Sequence, residues 1–151
     1  MPRGPVDLPD INVWLALADE NHEHHGRAKH YWEQESASRL AFCRVTMLGL
    51  LRLSTHRKVM DNKPFTSAEA WQAYRNFRAL PEVTLLADPP TLESSLAAWT
   101  ELPGFPNHRW TDAYLAALSQ TSGARLVSFD ADFLHFNGLH FLHLNMPAAR
   151  R

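Results

Sequence analysis

Three aspartates stand where this chain can bring carboxylates together. Asp10 follows the short apolar run Val6 to Leu8 and then Pro9. Asp112 sits in the first turn of a helical stretch that opens His108-Arg109-Trp110-Thr111. Asp130 follows Arg125-Leu126-Val127-Ser128-Phe129. Carboxylates are hard oxygen donors that suit Mg²⁺ or Mn²⁺, so their convergence would make a place for such a cation. Each also has a plain structural reading. Asp10 could be a turn residue after proline. Asp112 could simply be favoured at a helix N-terminus, by ~0.3–1 kcal/mol. Asp130 could cap the segment that follows it.

The elements around these residues decide whether they meet. Apolar periodicity predicts short strands at Val6 to Leu8, Leu40 to Cys43, Val83 to Leu86, Arg125 to Phe129 and His140 to Leu144. Helical spacing occupies the stretches between. It begins at Val13 to Leu17 and continues over 24–35, where Ala28, Tyr31 and Trp32 share a face. Another helix could be capped by Thr46, with Leu48, Leu51 and, as a further candidate, Leu50 facing inward. A further one covers 66–79, where Glu69 lies three residues after Thr66 at capping-box spacing. The last two cover Thr91 to Thr100 and His108 to Gln120, the latter closed by Gly123. Strands alternating with helices imply crossover connections and an α/β fold, a three-layer α/β/α sandwich on a mostly parallel sheet. Ligands in such sheets bind outside the carboxyl ends of the strands. Asp10 and Asp130 both follow strands, so that edge is where the chemistry is expected.

Composition sets the class. The chain has 151 residues, 45% hydrophobic and 21% charged, which fits one globular domain over 1–151. The net charge of -1 argues mildly against a nucleic-acid binder, although basic residues cluster at Arg57-Lys58 and Arg150-Arg151. A single cysteine, Cys43, excludes an internal disulfide and a multi-cysteine zinc site, and suits a reducing cytoplasmic setting. Cys43 is expected as a buried core thiol. The opening MPRGPVDLPD has no apolar signal region, and no run approaches the ~20 apolar residues of a membrane helix.

Three motifs coincide in order: Asp10-Ile11-Asn12-Val13-Trp14-Leu15-Ala16-Leu17, Thr111-Asp112-Ala113-Tyr114-Leu115-Ala116-Ala117-Leu118, and Leu126-Val127-Ser128-Phe129-Asp130. Together they resemble the PIN-domain family, in particular its VapC toxin branch. The likeness extends to His22 through Ala28, to Thr46 through Arg52, and to Phe136-Asn137-Gly138-Leu139. It implies a Mg²⁺- or Mn²⁺-dependent endoribonuclease that hydrolyses RNA phosphodiesters without a covalent enzyme intermediate. It implies Asp10, Asp112 and Asp130 as catalytic metal ligands, with Asn12 and Thr111 as helpers through water or phosphate. It also implies an RNA substrate, a homodimer, and neutralisation by a VapB-type antitoxin that wraps a groove lined by residues such as Trp14, Trp32 and Phe65.

One position departs from the family. Met47 stands where a Glu or Gln is expected, and a soft thioether does not hold Mg²⁺. Asp132 is a candidate substitute; its structural reading is a solvated or capping carboxylate. The departure motivates an alternative: a catalytically weak PIN-fold module that binds antitoxin or RNA. A phosphatase with Asp10 as nucleophile ranks below both, because Asn12 occupies the place of its usual second Asp. Arg52 could meet phosphate or a site carboxylate, or form a structural ion pair. His22, His24, His25 and His30 lack the spacing of a zinc protease and are expected to form a solvated helix start. His108 and Arg109 flank the site helix within reach of an RNA backbone.

Overall fold

A computed structural model describes residues 5–145. The basic pair Arg150-Arg151 lies outside them. Five strands form one sheet: β1 (Val6–Pro9), β2 (Arg39–Phe42), β3 (Val83–Leu85), β4 (Arg125–Ser128) and β5 (Phe141–His143). Their order is β3-β2-β1-β4-β5, and every pairing is parallel. The sheet is thus wholly parallel, where sequence predicted it mostly so.

Strand alternation divides the core into two layers. Leu40 and Phe42 of β2 and Val127 of β4 face one side. They meet residues of α1 (Ile11–Ala18), α2 (His25–His30), α3 (Arg44–Ser54) and α4 (Ser67–Arg78). Ala41, Cys43 and Leu126 face the other, against α5 (Leu92–Thr100) and α6 (Trp110–Ser122). Helices on both faces make the predicted three-layer sandwich.

The local signals hold in part. Thr66 accepts from the Glu69 N–H and Glu69 accepts from the Thr66 N–H, the expected capping box. Gly123 ends α6 with φ 66°, the left-handed conformation that glycine tolerates. Helix α3 differs. Its cap is Cys43, and Thr46 is the third helical residue, reaching back to accept from the Cys43 N–H at 2.9 Å. Leu50 is buried and Leu51 packs against the core as expected, with Gly49 beside them, while Leu48 is 59% exposed instead. The stretch 24–35 is not one α-helix, because α2 passes into a π-helical turn at Tyr31–Glu35.

Trp14 is fully buried and stacks on Phe42 at 3.8 Å between centroids, so it cannot line a groove. Trp32 and Phe65 are partly buried against the same core. Cys43 is buried, and burial pushes its thiol pKa up, as expected of an inert core cysteine.

Candidate functional site

The strand order reverses direction between β1 and β4, the switch point where a parallel sheet opens a crevice at its carboxyl edge. Asp10 follows β1, and its N–H continues the ladder by donating to the Val127 carbonyl at 2.7 Å. Asp130 stands just past β4. Asp112 enters from the first turn of α6. Helix α3 comes close to the start of α1: a Cβ on Gly49 would fall 2.2 Å from Ile11 Cδ1, so a side chain at 49 would push the Ile11 side chain aside.

Carboxylate oxygens of Asp112, Asp130 and Asp132 lie within 4.8 Å of one another. Asp10 adjoins them, 8% exposed, and its charge raises the pKa of Asp112. Asp10 Oδ1 accepts from the Ile11 N–H and Oδ2 from the Ser128 hydroxyl, both at 2.7 Å. Each oxygen keeps a second lone pair for a further partner. Asp130 also caps a 3₁₀ turn (Ala131–His135) by accepting from the Asp132 N–H at 2.8 Å. Asp10 and Asp130 thus cap local structure and also stand in or beside the acidic cluster.

Electrostatics separate Asp112 from an ordinary helix-start residue. The helix dipole should lower its pKa. Instead the pKa rises from 3.8 to about 6, first through burial and then through the charges of Asp10, Asp130 and Asp132, with Arg109 opposing. Burial and like-charge crowding outweigh the pull of Arg109. Asp10 is shifted upward as well, chiefly by burial, while its bonds to Ser128 and Ile11 pull the other way. A centre whose acids resist ionisation together is one that a cation would relieve.

Ser128 holds the centre together, and sequence reasoning did not single it out. Its hydroxyl donates to Asp10, accepts from the Asp130 N–H at 2.9 Å, and accepts from Asn12 Nδ2 at 3.2 Å. Asn12 Oδ1 in turn accepts from the Phe129 N–H at 3.4 Å. The Ser in Leu126-Val127-Ser128-Phe129-Asp130 was the available signal, because an inward hydroxyl at a strand end is costly unless bonded. Ser128→Ala is expected to weaken divalent-cation binding roughly ten- to hundred-fold, as loss of an outer partner of a ligand does. Calorimetric titration with Mn²⁺ reads it; an unchanged affinity would remove Ser128 from the centre.

The other predicted residues fall as follows. Arg109 pairs with Asp132 at 3.7 Å. Thr111 is exposed in the first turn of α6, and His108 is exposed just before that helix. Arg52 is exposed in a shallow groove with Leu48, Leu51 and Trp71, between α3 and α4, and among the described residues it forms no ion pair with the acids. Met47 is partly buried against the core and its sulfur accepts from Arg44 Nη1 at 3.5 Å. The histidines are half-buried rather than a solvated helix start. His24 stacks on Phe129 and His25 Nδ1 contacts the Ala16 carbonyl at 2.7 Å, so tertiary packing claims them; His30 alone is exposed.

The PIN domain profile matches residues 8–139. Ribonuclease VapC41 of Mycobacterium tuberculosis is 38% identical over 138 residues, covering 87% of this chain and 94% of that protein. Ribonuclease VapC38 of the same species is 33% identical over 125 residues, covering 82% and 84%. Among solved structures, M. tuberculosis VapC20, described as a sarcin-ricin loop cleaving toxin, superposes with TM-score 0.65 at 18% identity, covering 88% of this chain and 95% of that one. A toxin–antitoxin complex from Klebsiella pneumoniae superposes with TM-score 0.60 at 14% identity, covering 91% and 97%. The strand order, the acidic centre at its switch point and the match along nearly the whole chain agree: this protein belongs to the PIN-domain family, in its VapC branch.

Proposed function

We propose that the chain, folded as one domain over 1–151, is a divalent-metal-dependent endoribonuclease toxin held in check by an antitoxin protein. The observation that carries this reading is the gathering of Asp112, Asp130 and Asp132 within 4.8 Å, beside buried Asp10. Relatives named as ribonucleases over most of their length support it. A cytoplasmic setting and a homodimer rest on the family likeness alone.

The donor set fits a hard cation, because it offers only carboxylate oxygens. Asp112 and Asp130 would hold Mg²⁺ or Mn²⁺ with Asp10, while Asp132, more exposed and paired with Arg109, would add its charge from the edge of the group. When bound, the ion lowers the pKa of a water and stabilises charge on phosphate. The chain supplies the rest. Ser128 and Asn12 keep Asp10 and the Asp130 backbone in register. The Arg109 guanidinium, tied to Asp132, stands ready to meet a phosphate oxygen.

The raised pKa of Asp112 gives a pH signature. Between about pH 4 and 6 Asp112 binds more protons in the metal-free folded chain than in the unfolded one, so its contribution to stability falls as pH rises through that window. A cation that favours the ionised form reverses this. The gain in Tm from Mn²⁺ is expected to be larger at pH 7 than at pH 5. Equal gains at both would mean that the ion does not meet Asp112.

Met47 favours a second reading, a module that binds RNA or antitoxin without cutting. Incubation with structured RNA discriminates. Cleavage with Mg²⁺ or Mn²⁺ that stops on chelation by EDTA is the expected result. Intact RNA at high metal would leave the binding module.

A further inference from the structure

Next to the acidic centre lies a cavity of about 290 Å³, near the lower end of the range for small-ligand pockets. Its walls include Trp99, Phe105 and Phe136, with Arg109, His135 and Asn137 among the polar lining residues. The cavity opens at the edge of the core layer under α5 and α6, which includes Phe136 and has Trp99 and Phe105 packed against it, and the acids that define the centre do not line it. One residue joins the two. Arg109 lines the cavity and pairs with Asp132 at 3.7 Å, and its Nε is buried without a hydrogen-bond partner. An unsatisfied guanidinium nitrogen is costly unless a ligand completes it.

We propose that this cavity receives a nucleobase of the RNA strand, next to the phosphate bound at the acidic centre, and so sets which nucleotide is preferred there. The inference rests on the ribonuclease reading. Aromatic faces accept any base by stacking, and hydrogen-bonding groups choose among them. Here Trp99 and Phe136 form an edge-to-face pair at 5.3 Å, and Phe105 meets Trp110 at 5.0 Å. Trp110 is 51% exposed at the first position of α6, so the aromatic surface extends from the cavity to the start of that helix. His135 and Asn137 are exposed on its rim, offering ring nitrogens and an amide to a base edge. Phe136-Asn137-Gly138, singled out in the sequence, has no part in the acidic centre. Gly138 turns that segment with φ 81°, which accounts for the glycine. A peptide could also press on aromatic rings, but the shared Arg109 ties this cavity to the place of a phosphate.

Binding without cleavage tests this. In an Asp130→Asn background, fluorescence anisotropy compares single-stranded hexanucleotides of A, C, G and U with an abasic hexamer of equal length. The wild-type cavity is expected to bind the base-bearing hexamers more tightly than the abasic one, with a preference among the four. Phe105→Ala is expected to lower affinity for the preferred hexamer roughly ten- to hundred-fold while leaving the abasic hexamer unchanged. Asn137→Ala, at an exposed loop position that does not threaten folding, is expected to flatten the preference among the four. Equal losses for base-bearing and abasic hexamers, or no loss with either variant, would overturn the proposal. If the variants lose base-dependent binding but the unmutated chain never cuts RNA, the cavity stands and the ribonuclease reading falls. If the chain cuts RNA and both variants bind and cut at the same sites as before, the cavity alone falls.

Discussion

Asp130→Asn is expected to lower the single-turnover rate of RNA cleavage at saturating Mn²⁺ by about a thousand-fold, equivalent to ~4 kcal/mol of transition-state stabilisation. The substitution is nearly isosteric. An Asn oxygen can still accept from the Asp132 N–H that Asp130 now caps at 2.8 Å, so the 3₁₀ turn should persist. What is lost is a negative charge inside a group whose oxygens lie within 4.8 Å. Asp132→Asn makes the instructive contrast. Its side chain is 43% exposed and shares its charge with Arg109, so its field is screened more by water. A loss of about tenfold is expected there. Rates for the two variants, measured on one RNA with melting curves as a folding control, rank the acids. An Asp130→Asn rate within tenfold of the unmutated chain would remove Asp130 from the reaction. Loss at Asp132 as deep as at Asp130 would make Asp132 a full ligand that stands in for the acid missing at Met47.

The second large effect lies at the opposite end of the strands. Asp7, fully buried in β1, accepts from Arg125 Nε and Nη2, each at 2.9 Å, from the Ala37 N–H at 3.0 Å and from the Tyr31 hydroxyl at 2.5 Å. Arg125 also donates to the Glu35 carbonyl, and Glu35 pairs with Arg27. Burial, with the charge and hydrogen bond of Asp7 behind it, pushes the Tyr31 pKa upward, and the bond to Asp7 pushes the Arg125 pKa upward, so both stay protonated as donors. Asp7→Ala would strand three donors in a poorly hydrated place. The cost of breaking such a buried pair is about 3–5 kcal/mol. For a chain of this size that corresponds to a fall in Tm of roughly 6–20 °C. Calorimetry should show it. Replacing Asp7 and Arg125 together by Leu and Met should recover part of the loss, because no charge is then left alone. A single-variant cost below ~1 kcal/mol would mean that water reaches the network and replaces the carboxylate.

Much of the fold was legible because its signals are local. The box at Thr66 and Glu69, the glycine at 123 and the five apolar runs each act over a few residues. The order Asp10, Asp112, Asp130 was legible for a related reason, since a strand end or a helix start can be read from its flanks. Helix α3 was misjudged because two caps compete one turn apart. A cysteine is a poor cap by type, yet the Thr46 hydroxyl serves the Cys43 N–H from inside the helix, a reach-back bond that residue types alone do not announce. Trp14 was placed in a groove because an aromatic near a motif reads as surface; the ring of Phe42, 28 residues on, buries it.

The sequence by itself determined a parallel sheet between helices and the three carboxylates that belong to its edge. Local pattern carries the sheet, and the resemblance of the ordered motifs to a known family carries the carboxylates. Tertiary structure decided which acids cluster. It brought Asp132 into the group through a 3₁₀ turn, drew Asp10 beside it as a buried neighbour, and left Arg52 and Met47 out of its bonding. It also decided that Ser128 ties Asp10 to Asp130 and that Asp7 meets Arg125 across 118 positions. Such partners are invisible in the chain, because a hydroxyl or a carboxylate has no local preference that says which distant group it will satisfy. Burial makes that satisfaction obligatory, and only the folded chain brings the partners to it.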